Sequence, residues 1–386
     1  MRGPGKAYAR HAYAGQTHAR RTYFENLDAT RFLGFFHVFL AHCFFTTNKS
    51  IEQSNAFGFA TGAIRSGFLG LDYFFVLSAF LLTWLALEER MLTDNFKPGL
   101  FLVRRGLRLW PIYFILVTAV YSGYFFFNEW LGLEPLPPIS AYLLFWSNLF
   151  IATHGQNFLF LLVFFWSISV EEQFYVFWAA ALRWLDKFLV PVCIIMIIAS
   201  LVFRANYIDN DQMLVFHTFS ILGNFGMGAL AAILAFRHPR FTKIVVQLSR
   251  FKIASIYLVF IILTVFYFRL FINPFSVMIE KIVFALFFAF VILEQSFSVN
   301  SFFKLGKVKW MNYLGQLSLG LYCFHGLILT LALPLFKTNK LTESPFQVFF
   351  QNPLIILIIT LLISIASYEL FEKRIHGLRR YFYPKR

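Results

Sequence analysis

Charge is scarce in this 386-residue chain: Asp, Glu, Lys and Arg make up only 14% of it, against 59% hydrophobic and 20% aromatic residues. Too little polar sequence remains to cover a water-soluble globule of this size. Acidic residues are scarcer still, 19 against 34 Lys and Arg, for a net charge of +15. In a soluble protein that excess would suggest nucleic acid. Here the basic residues sit in short segments between apolar runs, where they report orientation and anionic lipid, and no nucleic-acid partner is expected. The only cysteines, Cys43, Cys193 and Cys323, lie inside apolar runs, which excludes a disulfide framework. There is no zinc-ligand spacing, no nucleotide-binding glycine loop and no serine elbow. Any chemistry must rest on His, Glu and Arg, without a metal.

What the chain does have is apolar runs. They begin near residue 31 and recur at about 67–88, 101–127, 158–184, 188–203, 214–236, 253–272, 282–296, 311–335 and 350–371. A shorter run at 139–157, after the proline-rich loop Asn128 to Pro138, decides the topology. If it does not cross, the basic clusters Arg237 to Lys252, Lys304 to Lys309 and Lys373 to Arg386 all fall on the cytoplasmic side; if it crosses, all three lie outside, against the positive-inside rule. The expectation is therefore an all-α polytopic membrane protein with about ten transmembrane helices, a short re-entrant or interfacial segment near 139–157, and both termini cytoplasmic. Residues 1–25 read as a flexible basic tail, 26–375 as one integral-membrane domain and 376–386 as a second basic tail. The expected location is the plasma or inner membrane, multi-pass.

The first run, RFLGFFHVFLAH, sets Arg31 and His42 eleven residues apart. Eleven steps of about 100° return the two side chains to within about 20° of one another, roughly 16 Å apart along a helix. Ionisable groups in register inside hydrocarbon point to function, the alternative being that Arg31 snorkels to the headgroups and His42 bonds within the bundle. Arg104, Arg105 and Arg108 stand at the expected mouth of a third helix, on one face, where guanidinium groups clamp an anion such as phosphate; the alternative is a positive-inside anchor. Glu171 and Glu172 fall midway along an apolar run, and Glu171 shares a stripe with Ser167, Tyr175 and Trp178. A buried carboxylate can orient an imidazole and raise its basicity, although a structural Glu–Arg pair would look the same. Gly315, Ser318, Tyr322 and His325 form one polar face of a late helix, a packing surface or a support for the site. Asp72, near the outer end of the second helix, reads as an interfacial cap or an acceptor contact. His37 lies about 140° around from His42 and is the weaker candidate.

Taken together, these stretches resemble the membrane acyltransferase family 3, integral-membrane O-acyltransferases that acylate bacterial surface glycans. The resemblance runs from about residue 26 to 375. It rests on Arg31 and His42, on GFLGLDYFFVLSAF with Ser78, on Arg105 and Arg108, on WSISVEEQFY, and on the Gly315 to His325 helix. One departure is Ala79, where the pattern has glycine. The resemblance implies acyl-CoA, in the simplest case acetyl-CoA, as donor co-substrate, and a carbohydrate or glycolipid hydroxyl at the outer face as acceptor. Within it His42 and Glu171 are expected to be catalytic, and Arg31, Arg105 and Arg108 to hold the donor. Asp72, Ser78, Ser167, Glu172, Tyr175, Tyr322 and His325 are expected to bind substrate or support the site. The competing class is a proton-coupled transporter of a small anionic or sugar-like solute, which would use the same residue types but predicts repeats or paired broken helices that the sequence lacks.

Overall fold

The computed structural model describes residues 23–58, 68–131 and 135–383, and among these every regular element is a helix. The principal ones are α1 (Glu25–Cys43), α2 (Phe68–Thr93), α3 (Pro98–Leu131), α4 (Ser140–Leu143), α5 (Ser147–His154), α6 (Phe160–Phe164), α7 (Trp166–Trp184), α8 (Leu189–Asn206), α9 (Thr218–Arg237), α10 (Arg250–Val265), α11 (Pro274–Phe297), α12 (Lys309–Gln316), α13 (Ser318–Thr338), α14 (Asn352–Ser367) and α15 (Lys373–Leu378). With no water in hydrocarbon to satisfy backbone groups, helices are the form such apolar runs must take. Among the described residues, eight helices are long and apolar enough to cross a bilayer, and a ninth follows if Pro239–Val246 and α10, bent by 86° at a short break, form one span. Helix α1 has 19 residues but carries Glu25, Asp28 and Arg31 in its first two turns, so composition alone does not mark it as a span. With α1 included, the helices account for the ten apolar runs of the sequence.

The segment at 139–157 folds as two short helices, α4 and α5, broken where Phe145 adopts a left-handed φ of 55°. At 1.5 Å per residue the eight residues of α5 rise about 12 Å, far short of a bilayer's hydrocarbon thickness. It is nonetheless fixed in the bundle. Ser147 pairs with Ser169 of α7, and the Asn148 amide donates to the Phe216 carbonyl and to Thr218. The expected non-crossing segment is thus an inward-packed pair of helical turns.

Close helix approach depends on glycine. A Cβ on Gly228 of α9 would lie 2.1 Å from the Val76 carbonyl oxygen of α2, and one on Gly315 of α12 would lie 1.7 Å from the Asp28 carbonyl oxygen of α1. Neither space exists, so these two contacts fix how α2 and α1 are held. Large apolar side chains such as Phe125, Ile195, Val202, Phe251 and Leu362 are exposed on the outside of the bundle, the surface a lipid-embedded protein presents.

Two buried ion pairs hold α2, α8, α9 and α11 together. Asp72 of α2 accepts from Lys281 Nζ at 2.8 and 3.1 Å and from the Asn224 amide at 2.7 Å, while Arg204 reaches Glu280 at 3.4 Å and two carbonyls of α11. Asp72 is therefore not an interfacial cap or a pocket group as the sequence suggested. It is 1% exposed and ties α2 to α9 and α11, because a carboxylate at that depth is tolerable only when compensated.

Candidate active site

Helices α1, α2, α3, α7 and α13 converge on a cavity of about 100 Å³. Its polar lining is Arg31, Ser78, Arg105, Arg108, Ser167, Glu171, Tyr175, Ser318 and Tyr322, and its apolar lining includes Leu71, Phe74, Phe75 and Leu109. All of these polar residues were singled out by sequence pattern, and the fold brings them to one place. Periodicity explains part of this: Ser167, Glu171 and Tyr175 are successive i, i+4 positions of α7, and Ser318 and Tyr322 are one such step on α13. Glu171 is held from two sides, by Ser78 Oγ at 3.1 Å and by the Tyr175 hydroxyl at 2.6 Å. The Tyr322 hydroxyl donates to the Phe164 carbonyl at 2.8 Å and lies 2.8 Å from Ser167 Oγ, which closes the inner end.

The mouth of this cavity is basic. Arg31 is ion-paired with Asp28, whose other oxygen accepts from the Tyr23 hydroxyl. Burial and the neighbouring carboxylate push the Tyr23 phenol up to about 12, so it stays a donor at physiological pH. Arg104 is committed elsewhere: it bonds the buried Glu89 at 2.5 Å and the Phe382 carbonyl at 2.7 Å. Arg105 and Arg108, by contrast, make no ion pair with any described residue, although both line the cavity. Helix α3 starts at Pro98, well before these arginines, so they stand in its second and third turns rather than at its mouth. An anion here would be held by side chains, not by free backbone N–H groups. A second cavity of about 730 Å³ opens outside the first and shares Arg31, Leu81, Arg105 and Arg108 with it.

His42 and His325 are brought together beyond the closed end. Their ring centroids are 5.9 Å apart, and both rings meet Phe164 edge-on, at 4.8 and 4.6 Å. Neither lines the cavity that holds Arg31; Phe164 and Tyr322 stand between. His42 Nδ1 is 2.7 Å from the Val38 carbonyl and His325 Nδ1 is 2.5 Å from that of Tyr322. A carbonyl only accepts, so both rings carry their proton on Nδ1 and present Nε2 as the basic atom. The carboxylate–imidazole pairing considered from sequence is not made: backbone carbonyls orient both imidazoles, and Glu171 belongs to Ser78 and Tyr175. Glu172 is buried outside the cavity lining. The tail expected from residue 376 onward is helical through α15 and the turn Arg379–Phe382, and it walls the outer cavity with His376, Arg379, Arg380 and Tyr383. Sequence pattern gives no hint of this, because a terminal basic run carries no periodicity that ties it to a site. The residues expected to form the amino-terminal tail lie outside the described ones, except its last three.

Fold and site together define a multi-pass helical membrane protein with a basic-mouthed polar pocket and a pair of neighbouring imidazoles. Sequence comparison places it more narrowly: the chain belongs to the acyltransferase 3 family, whose model, described as an acyltransferase domain, matches residues 24–369. It is similar to the peptidoglycan O-acetyltransferase OatA of Listeria monocytogenes serovar 1/2a, with 27% identity over 72% of this chain and 47% of that protein. It is also similar to the O-acetyltransferase OatA of Staphylococcus aureus strain NCTC 8325, with 28% identity over 32% of this chain and 21% of that protein. The chain thus spans less than half the length of these curated relatives. No solved structure matches it.

Proposed function

We propose that this protein is a membrane O-acetyltransferase that takes its acyl group from acyl-CoA and passes it to a hydroxyl of a carbohydrate or glycolipid. The observation that carries this reading is a pocket with two arginines at its mouth that make no ion pair with a described residue, and two Nδ1-protonated imidazoles beyond its inner end. Arg31, Arg105 and Arg108 hold the donor's phosphates, guanidinium being the side chain best suited to phosphate oxygens. The narrow cavity takes the pantetheine arm and thioester, and its Ser78, Ser167, Glu171, Tyr175 and Ser318 supply hydrogen-bond partners along it. A cavity of about 100 Å³ that ends at Tyr322 suits a short acyl group.

His42 Nε2 takes the proton of the acceptor hydroxyl as its oxygen attacks the thioester carbon. The carbon–sulfur bond then breaks, and the thiolate departs and is reprotonated. Because Phe164 and Tyr322 separate His42 from the donor pocket, their side chains must rotate or shift for the thioester to reach the imidazole. In the cell, the donor enters from the cytoplasmic side and the acceptor is met at the outer face of the plasma membrane. Names of the relatives make peptidoglycan one acceptor to try, beside lipid-linked saccharides.

Detergent-purified protein incubated with radiolabelled acetyl-CoA and each of these acceptors tests the reading. Label transferred to a glycan hydroxyl and lost on mild base treatment supports it. Tight donor binding with no cleavage under any acceptor would contradict it, and a transporter would behave that way.

A further inference from the structure

Residues 370–383 lie beyond the family match, which ends at residue 369, yet they form one wall of the outer cavity. Their placement is fixed by Arg104, whose guanidinium donates to the Phe382 carbonyl at 2.7 Å and lies 4.9 Å from the centre of the Tyr383 ring. Helix α3, against which the segment packs, brings Arg105 and Arg108 to the same cavity. Arg379 lines this cavity together with both and acts on each electrostatically, and none of the three makes an ion pair with a described residue. The only hydrogen bond Arg379 donates among the described residues runs from Nε to the His376 carbonyl at 3.0 Å, which leaves both terminal nitrogens for a ligand. Three like charges on a cavity of about 730 Å³ repel one another, and a bound anion would relieve that repulsion.

The residues shared by the two cavities mark where a donor passes from one to the other. Arg105 and Arg108 are shared; Arg379 and Arg380 line only the outer one. A donor whose thioester lies inward therefore sets its diphosphate near Arg105 and Arg108 and its nucleotide in the outer cavity. We infer that the carboxy-terminal segment Lys373–Tyr383 is part of the donor site, with Arg379 binding the 3′-phosphate of the adenosine. Arg380 is turned toward Tyr381, 2.7 Å from its hydroxyl, and contributes charge rather than a direct contact.

This inference rests on the acyl-CoA reading above, and the experiment separates the two. Equilibrium binding of acetyl-CoA and of acetyl-3′-dephospho-CoA is measured for wild type, Arg379→Ala and Arg379→Lys, with melting temperature as a check on folding. Wild type is expected to prefer the phosphorylated donor by about tenfold or more, as one charge-assisted contact provides. Arg379→Ala should bind both donors alike at the wild-type dephospho level, and Arg379→Lys should keep part of the preference. A full preference retained by Arg379→Ala overturns the inference while leaving the acyl-CoA reading intact. It is overturned equally if Arg379→Ala alters only retention on phosphatidylglycerol nanodiscs, because the guanidinium then serves a lipid phosphate. Wild type that binds neither donor overturns both readings.

Discussion

Adjacent arginines on α3 do opposite work, and substitution should separate them. Arg104 is buried between Glu89 and the Phe382 carbonyl, so Arg104→Ala leaves a carboxylate in the packing without its guanidinium. Breaking a buried pair from one side costs about 3–5 kcal/mol, which should appear as a clear fall in melting temperature in detergent. Arg105 has no ion pair to lose. Arg105→Ala should leave the melting temperature unchanged or higher while weakening acyl-CoA binding by about tenfold or more, the worth of one charge-assisted hydrogen bond. A large loss of stability in Arg105→Ala would show that its charge is compensated after all.

Sequence pattern found most of the pocket's lining, while Asp72, Glu172, His42 and His325, expected at the site, lie outside that lining. Helical spacing placed Ser167, Glu171 and Tyr175 correctly because i, i+4 geometry needs no tertiary knowledge. It could not place Asp72, since its partner Lys281 is far away in the chain and nothing local distinguishes a cap from a long-range ion pair. Arg31 and His42 do share a helix face, but phase alone does not show that Phe164, from a different helix, stands between His42 and the pocket. Arg379 was invisible for the same reason.

Helix contacts set the position of the site more than any single polar group does. Gly315 lets α12 press on the carbonyl of Asp28, the residue that anchors Arg31. A methyl group there has no room, and overpacking of this kind costs about 1–3 kcal/mol when the backbone yields. Gly315→Ala should therefore lower the melting temperature and weaken donor binding together, because α1 must move to make space. Donor affinity equal to wild type would show that Arg31 does not depend on this contact. The glycine was legible in the sequence as part of a small and polar stripe. Its role as the seat of α1 was not, because close approach is a property of two helices. Ala79, which stands where the family pattern has glycine, is fully buried and accommodated.

For the molecule as a whole, the number and order of apolar runs were plain in composition, as hydrocarbon permits few alternatives to a helix. The non-crossing segment at 139–157 followed from the placement of charge in distant loops, and its two short helices agree with that reading. Orientation is the remaining large-scale statement. With the basic clusters inside, a cysteine in place of Lys243 should react with a membrane-impermeant maleimide only after cells are opened, and one in place of Asn206 should react in intact cells. Both positions are exposed, and the three native cysteines are buried, so background labelling should be low. The reverse pattern would place the donor arginines on the outer face and exclude a cytoplasmic acyl-CoA.

We propose that an imidazole beyond Phe164 acts on a donor held by the arginines in front of it. Single-turnover cleavage of acetyl-CoA by wild type and His42→Ala, each with donor affinity measured on the same preparation, tests it most directly. The expected result is unchanged affinity with cleavage slowed by about 10²–10⁴, the range a general base supplies. Cleavage at the wild-type rate in His42→Ala would show that this imidazole does not act on the donor.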